Sequence, residues 1–200
     1  MAAPATIQRL TESEYLSLER KAEVRHEFFD GEIFAMAGGS PAHSLIATNV
    51  AGELRAQLKG KPCRPFNSDL RHKVELTGLI TYPDVSVICG PLEFAPGTDD
   101  TVINPTLLIE VLSQTTEAYD RGRKFLNYQR ISSLREYLLV SQLEPRIEQF
   151  IRGEGGQWTW RVTEGMEAVA EVPSLGISLP LAEVFAGVEF ISPESAGTAS

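Results

Sequence analysis

Tyr82-Pro83-Asp84-Val85-Ser86-Val87-Ile88-Cys89 sets a carboxylate at the head of an apolar, β-branched run, and Pro105-Thr106-Leu107-Leu108-Ile109-Glu110-Val111-Leu112 embeds a second one in another. Short aliphatic runs bounded by proline, glycine or asparagine are the pattern of strands buried on both faces. An unpaired carboxylate in such a strand costs several kcal/mol, so it is normally paired, protonated or bound to a metal. If the two strands are neighbours, ~4.8 Å apart, Asp84 and Glu110 can converge on one cation. Two carboxylates, a backbone carbonyl and waters suit Mg²⁺, with Mn²⁺ as a substitute. The competing explanation is that each acid pairs with an arginine or caps a local stretch of backbone.

Downstream of these strands, Ser113-Gln114-Thr115-Thr116 offers N-caps for a helix from about Glu117 to Ile131. Asp120, Lys124 and Tyr128 follow at i, i+4 and i+8 and share one face. As an exposed helix pair, Asp120 and Lys124 contribute a few tenths of a kcal/mol; alternatively this face looks toward Glu110, with Asp120 orienting the ammonium. Upstream, Cys63–Val74 and Leu79–Cys89 read as strands with Gly78 near the turn, and Asp69 either approaches the site or pairs locally. Residues 91–104, with two prolines, a glycine and two aspartates, read as a loop that borders a cleft or is a surface excursion.

Toward the N-terminus, Thr11-Glu12-Ser13-Glu14 fits a capping box, Leu10 can staple to Tyr15, and the helix ends near Lys21. Val24–Phe29 and Glu32–Ala37 flank Asp30-Gly31, the dipeptide of two-residue type I′ turns, and predict a hairpin. Ser40 and Pro41 then open a helix whose Leu45, Ile46, Val50, Leu54 and Leu58 recur at helical spacing, with Gly60 beyond its end. His43 lies in its first turn, as a phosphate contact or a plain surface residue. Toward the C-terminus, strands are predicted at 136–141, 146–152, 157–163 and 166–172, with a short helix at 179–186 and a frayed tail at 192–200.

Arg25-His26-Glu27-Phe28-Phe29-Asp30-Gly31-Glu32, His43, Tyr82-Pro83-Asp84-Val85, Ile109-Glu110-Val111-Leu112-Ser113, Thr116, Asp120, Lys124, Tyr128 and Glu136-Tyr137 together resemble the Uma-type family of restriction endonucleases within the PD-(D/E)xK nuclease superfamily. The stretches run from Arg25 to Val140. The resemblance implies an α/β (α+β), restriction-endonuclease-like domain over residues 1–191, with a mixed central sheet flanked by helices and the helix and hairpin at its N-terminus. It implies a Mg²⁺-dependent endonuclease hydrolysing phosphodiester bonds in DNA, with Asp84, Glu110 and the Val111 carbonyl holding the metal. Leu112 stands where the superfamily places its lysine, and Lys124 is the residue placed to take that role. Glu27, His43 and Asp120 are supplementary site candidates; Glu27 equally suits a cross-strand ion pair. The alternative is a catalytically silent nuclease-fold module that binds DNA or protein.

With 200 residues, 42% hydrophobic and 22% charged, the chain can bury a full core as one domain. Met1–Thr6 lacks the pattern of a signal peptide and no apolar run reaches membrane-spanning length, so a cytoplasmic protein without a membrane partner is expected. Cys63 and Cys89 lack zinc-ligand spacing, and reduced structural thiols are expected. The net charge of −9 is unusual for a nucleic-acid enzyme, but residues 34–152 carry 13 basic and 13 acidic groups, so the acidity lies at the ends. Arg121, Arg123, Lys124, Arg130 and Arg135 form a local basic cluster, compatible with DNA or with a solvated helix face. A homodimer is left open.

Overall fold

A computed structural model describes residues 9–36 and 38–190; the chain start, Ala37 at the end of the predicted hairpin and the predicted tail lie outside the described residues. Helix α1 (Glu12–Glu19) begins with the capping box, Thr11 accepting from the Glu14 N–H and Glu14 reaching back to the Thr11 N–H. Strands β1 (His26–Phe29) and β2 (Glu32–Ala35) form the hairpin, with Asp30 at φ 50° and Gly31 at φ 81° as a type I′ turn requires. Tyr15 and Leu16 of α1 pack on Phe28 and Ile80, with Leu10 alongside.

After α2 (Pro41–Gln57), capped by Ser40, the chain forms β3 (Cys63–Asn67), β4 (Arg71–Val74), β5 (Leu79–Thr81) and β6 (Val85–Cys89). The two expected strands are each broken in the middle. They form one long hairpin about the turn at Gly78, whose tip (β4, β5) lies in one sheet and whose base (β3, β6) lies in another. The chain changes sheets at Tyr82-Pro83-Asp84, where proline cannot donate to a ladder.

The predicted loop contains a short strand, β7 (Thr101–Val102), parallel to β4. Then follow β8 (Leu107–Val111), α3 (Glu117–Tyr119), a π-helical turn (Asp120–Lys124), α4 (Phe125–Tyr128), β9 (Glu136–Val140), β10 (Arg146–Arg152), β11 (Trp158–Glu164), β12 (Val169–Val172), β13 (Ile177–Pro180) and α5 (Leu181–Val184).

The architecture is mixed α+β. A five-stranded sheet has the order β2-β1-β5-β4-β7, a six-stranded sheet the order β11-β10-β9-β8-β6-β3, and β12-β13 stands as a separate pair. The six-stranded sheet is mixed, since β8 and β9 run parallel while its other pairs are antiparallel. The expected central sheet is therefore present; the second sheet and β13 are additions that the sequence pattern did not separate.

The pleat of β8 sorts its side chains. Leu107, Ile109 and Val111 face Ile46, Val50 and Leu54 of α2. Leu108 and Leu112 face Phe125 and Tyr128 on the opposite side of the sheet. With a period of two, Glu110 must point to the helical segment rather than to α2.

Cys63 and Cys89 are directly opposed in the β3/β6 register and form a disulfide, which corrects the expectation of reduced thiols. Spacing rules for metal ligands carry no information about a cross-strand pair.

Candidate active site

Asp84 arrives at the site because the sheet crossover ends there, one residue before β6. Since Val85 pairs with Ile109 in an antiparallel ladder, Asp84 and Glu110 are brought to adjacent positions on neighbouring strands. Asp84 Oδ2 accepts the Val111 N–H at 2.8 Å and lies 3.1 Å from His43 Nε2. The Asp84 hydrogen bond, joined by the Val111 carbonyl, raises the His43 pKa above its ordinary value against the opposing effect of burial.

Glu110, only 4% exposed, has one carboxylate oxygen engaged: Oε1 accepts from the Tyr128 hydroxyl at 2.9 Å and lies 2.9 Å from Lys124 Nζ. Among the described residues neither Glu110 Oε2 nor Asp84 Oδ1 has a hydrogen-bond donor. Burial drives the Glu110 pKa well above the usual carboxylate range; Lys124 opposes this, and the nearby charges of Asp120 and Asp84 add to it.

Lys124 is 4% exposed and is the hub of the site. Its Nζ lies 3.0 Å from Glu27 Oε1, 2.9 Å from Glu110 Oε1 and 3.4 Å from Asp120 Oδ1. An ammonium has three donors, and here three carboxylates surround them. Burial disfavours this charge, but the carboxylates of Glu110, Glu27 and Asp120 outweigh it and hold the Lys124 pKa well above its ordinary value. The expectation of a weak pair on an exposed helix is corrected: the helical segment is buried against the sheet, and a π turn at Asp120–Lys124 feeds both side chains inward. π turns are rare and cluster at functional sites.

Glu27 stands on β1 of the other sheet and accepts from Thr81 Oγ1 on β5, so the cluster joins the two sheets. Asp120 is buried as well, and that burial raises its pKa despite Lys124. Asp84, Glu110, Val111, Lys124, Glu27, His43 and Asp120 are thus brought together. Asp69 is not; it is exposed and pairs with Arg25. The segment 91–104 does not line the cleft and is tied elsewhere through Asp100 to Arg20 and Arg71. Of the basic cluster, Arg121 is held by Glu117 and Glu148, while Arg123 lies over the Phe29 ring at 5.8 Å.

Sequence reasoning placed Tyr128 on the shared helix face but not as a partner of Glu110. Its i+4 spacing from Lys124 was the available signal. Gln142, which donates to the Leu112 carbonyl at 2.5 Å and accepts from Ser40, had no sequence signature.

The site opens into a cleft of about 1280 Å³. No group of three or more His, Cys, Asp or Glu side chains suited to a metal occurs among the described residues, so a cation here would rest on two carboxylates, backbone oxygen and water. Among the described residues no helix is long and apolar enough to cross a membrane.

Comparison with known proteins gives a consistent answer. The structure resembles a crystal structure from Anabaena variabilis described as "a putative nuclease belonging to DUF820", with a TM-score of 0.73 over 88% of this chain and 98% of that one at 21% identity, a likeness of fold. Two uncharacterized proteins of Synechocystis sp. are similar in sequence: slr1290 is 36% identical, covering 93% of this chain and 96% of that protein, and sll1609 is 35% identical, covering 86% and 96%. Residues 12–182 match the model of the family Uma2, described as "Putative restriction endonuclease", and the chain belongs to that family.

Proposed function

We propose that the chain is a divalent-metal-dependent endonuclease hydrolysing phosphodiester bonds in DNA, with Asp84, Glu110 and the Val111 carbonyl as the Mg²⁺ ligands. The observation that carries this reading is a charge imbalance. Four carboxylates, of Glu27, Asp84, Glu110 and Asp120, share two basic partners, Lys124 and His43. With both partners charged and all four carboxylates ionised the site would be two charges short, the charge of one Mg²⁺; without a cation, the raised pKa values of Glu110 and Asp120 let protons take that place. The donor set fits, because the unengaged oxygens of Asp84 and Glu110 are hard ligands on adjacent strands and Mg²⁺ keeps much of its water.

When bound, the cation supplies Lewis acidity toward a water and the scissile phosphate. The rest is done by side chains. Tyr128 and Lys124 fix one oxygen of Glu110, leaving the other to act as ligand. The Val111 N–H and His43 do the same for Asp84. Lys124 is the group that steadies negative charge developing on phosphate, and it becomes available when Asp120, the longest of its three contacts, turns from its ammonium. In a phosphodiester hydrolysis the attacking water forms the new P–O bond and loses its proton while the ester P–O bond breaks and its oxygen is protonated. No nucleophilic side chain is required.

One observation favours the second reading, a catalytically silent nuclease-fold module that binds DNA or protein: Lys124 is fully engaged by protein carboxylates. Conversion of supercoiled plasmid to nicked circles separates the two. The nuclease reading expects nicking in Mg²⁺ or Mn²⁺, none in EDTA, and none by Glu110→Gln. Absence of nicking by the wild-type protein in every metal would favour the silent module.

A further inference from the structure

The cleft is poorly suited to a charged backbone. Seven carboxylate residues line it against four basic ones, and among the described residues only Arg123 of those four lacks a carboxylate partner. What the cleft does present is exposed aromatic surface. Phe34, 46% exposed, lies on the edge strand β2 directly across from Glu27, hence on the face of the carboxylate cluster. Trp160, 57% exposed, lies on the edge strand β11 of the other sheet, with its indole Nε1 donating to Glu148 at 3.3 Å. Both rings line the same cleft. Two exposed rings from different sheets that line one cleft offer it two stacking platforms, and every base offers a π face to stack on.

We infer that the cleft takes nucleic acid with unpaired bases, gripped by stacking on Trp160 and Phe34 rather than by phosphate contacts. This deepens the nuclease reading and rests on it. A duplex keeps its bases inside and offers mainly phosphates, which meet a cleft with one uncommitted cation. A single strand, flap or unwound segment can turn its bases onto the two rings. Stacking does not distinguish ribose from deoxyribose.

The test is fluorescence anisotropy with labelled oligothymidylate and oligouridylate of about 15 nucleotides and a duplex of the same length, in Ca²⁺, beside the plasmid assay on the same preparations. Wild type is expected to bind single strands more tightly than duplex, with a log–log salt slope shallower than about −2 because few phosphates are neutralised. Trp160→Ala and Phe34→Ala should each weaken single-strand binding about tenfold, while Trp160→Phe retains most of it. Thermal melts check that these exposed substitutions leave the fold intact. Tighter binding of duplex, or single-strand binding unchanged in Trp160→Ala, overturns the stacking inference and leaves the nuclease reading to the plasmid result. No retention of any probe overturns the inference as well, and coupled with no nicking it removes the nuclease reading too.

Discussion

Lys124 shows what a side chain's setting does to its energetics. On an exposed helix its pairing with Asp120 would be worth a few tenths of a kcal/mol, and its removal would hardly be felt. Buried among Glu27, Glu110 and Asp120 it is the cation that makes their burial tolerable. Lys124→Met should therefore cost about 3–5 kcal/mol in metal-free buffer, because it leaves buried carboxylates without their counter-ion. A melting temperature within a degree or two of wild type would contradict that. His72 is 1% exposed and its Nε2 has no partner among the described residues; burial lowers its pKa to about 4. A depressed histidine contributes stability that is present above its unfolded pKa of about 6.5 and lost as pH falls toward 4, about 3 kcal/mol in all. The raised Glu110 and Asp120 act oppositely, their contribution being present at low pH and lost as pH rises. Denaturant melts of wild type and His72→Gln between pH 7 and about 4 isolate the histidine share: the difference in slope should carry it, and parallel curves would refute it. Asp84 and Glu110 were legible in the sequence because carboxylates in apolar strands stand out. The depth of Lys124 was not, because helical spacing records which face a residue shares, not what covers that face.

At the scale of elements, the long hairpin Cys63–Cys89 joins the two sheets, and its bend puts Asp84 beside Glu110. The strands and the Gly78 turn were readable from residue pattern. The bend was not, although Pro83 in the middle of one strand and Asn67-Ser68-Asp69 in the other are the residues at which a ladder gives way. The same hairpin contained the missed signal for the disulfide: Cys63 and Cys89 are placed symmetrically about Leu76 in the turn that Gly78 closes, so antiparallel pairing opposes them. Such a bond is uncommon in a reducing cytoplasm. Closing a loop of 26 residues restricts the unfolded chain by about 3.5 kcal/mol at most. Dithiothreitol, or Cys63→Ser with Cys89→Ser, should lower stability by up to that amount while plasmid nicking at moderate temperature persists, since the bond lies at the end of β6 remote from Asp84. Loss of nicking with the fold retained would show that the bond orders the site. The π turn at Asp120–Lys124 is a further element that no spacing rule revealed: i, i+4 placement is compatible with an unbroken α-helix, and the widened turn becomes visible only against the sheet.

For the whole molecule, the mixed sheet and its flanking helices follow from alternating apolar runs and helical periodicity, but the division into two sheets depends on contacts between segments far apart in sequence. The carboxylate cluster sits where these sheets meet, with Glu27 from one and Glu110 from the other on a single ammonium. That placement makes the site a product of the fold as a whole, and on the proposed reading a bound cation would supply the two positive charges that four ionised carboxylates need beyond Lys124 and His43. Whether a divalent cation supplies them is decided most directly by anomalous diffraction from crystals soaked in Mn²⁺. The expected result is a peak bounded by the Asp84 and Glu110 carboxylates and the Val111 carbonyl, absent from Glu110→Gln crystals treated alike. Soaked crystals with no peak at that place, or with the Lys124 ammonium or the His43 ring occupying it, would contradict a metal-dependent site.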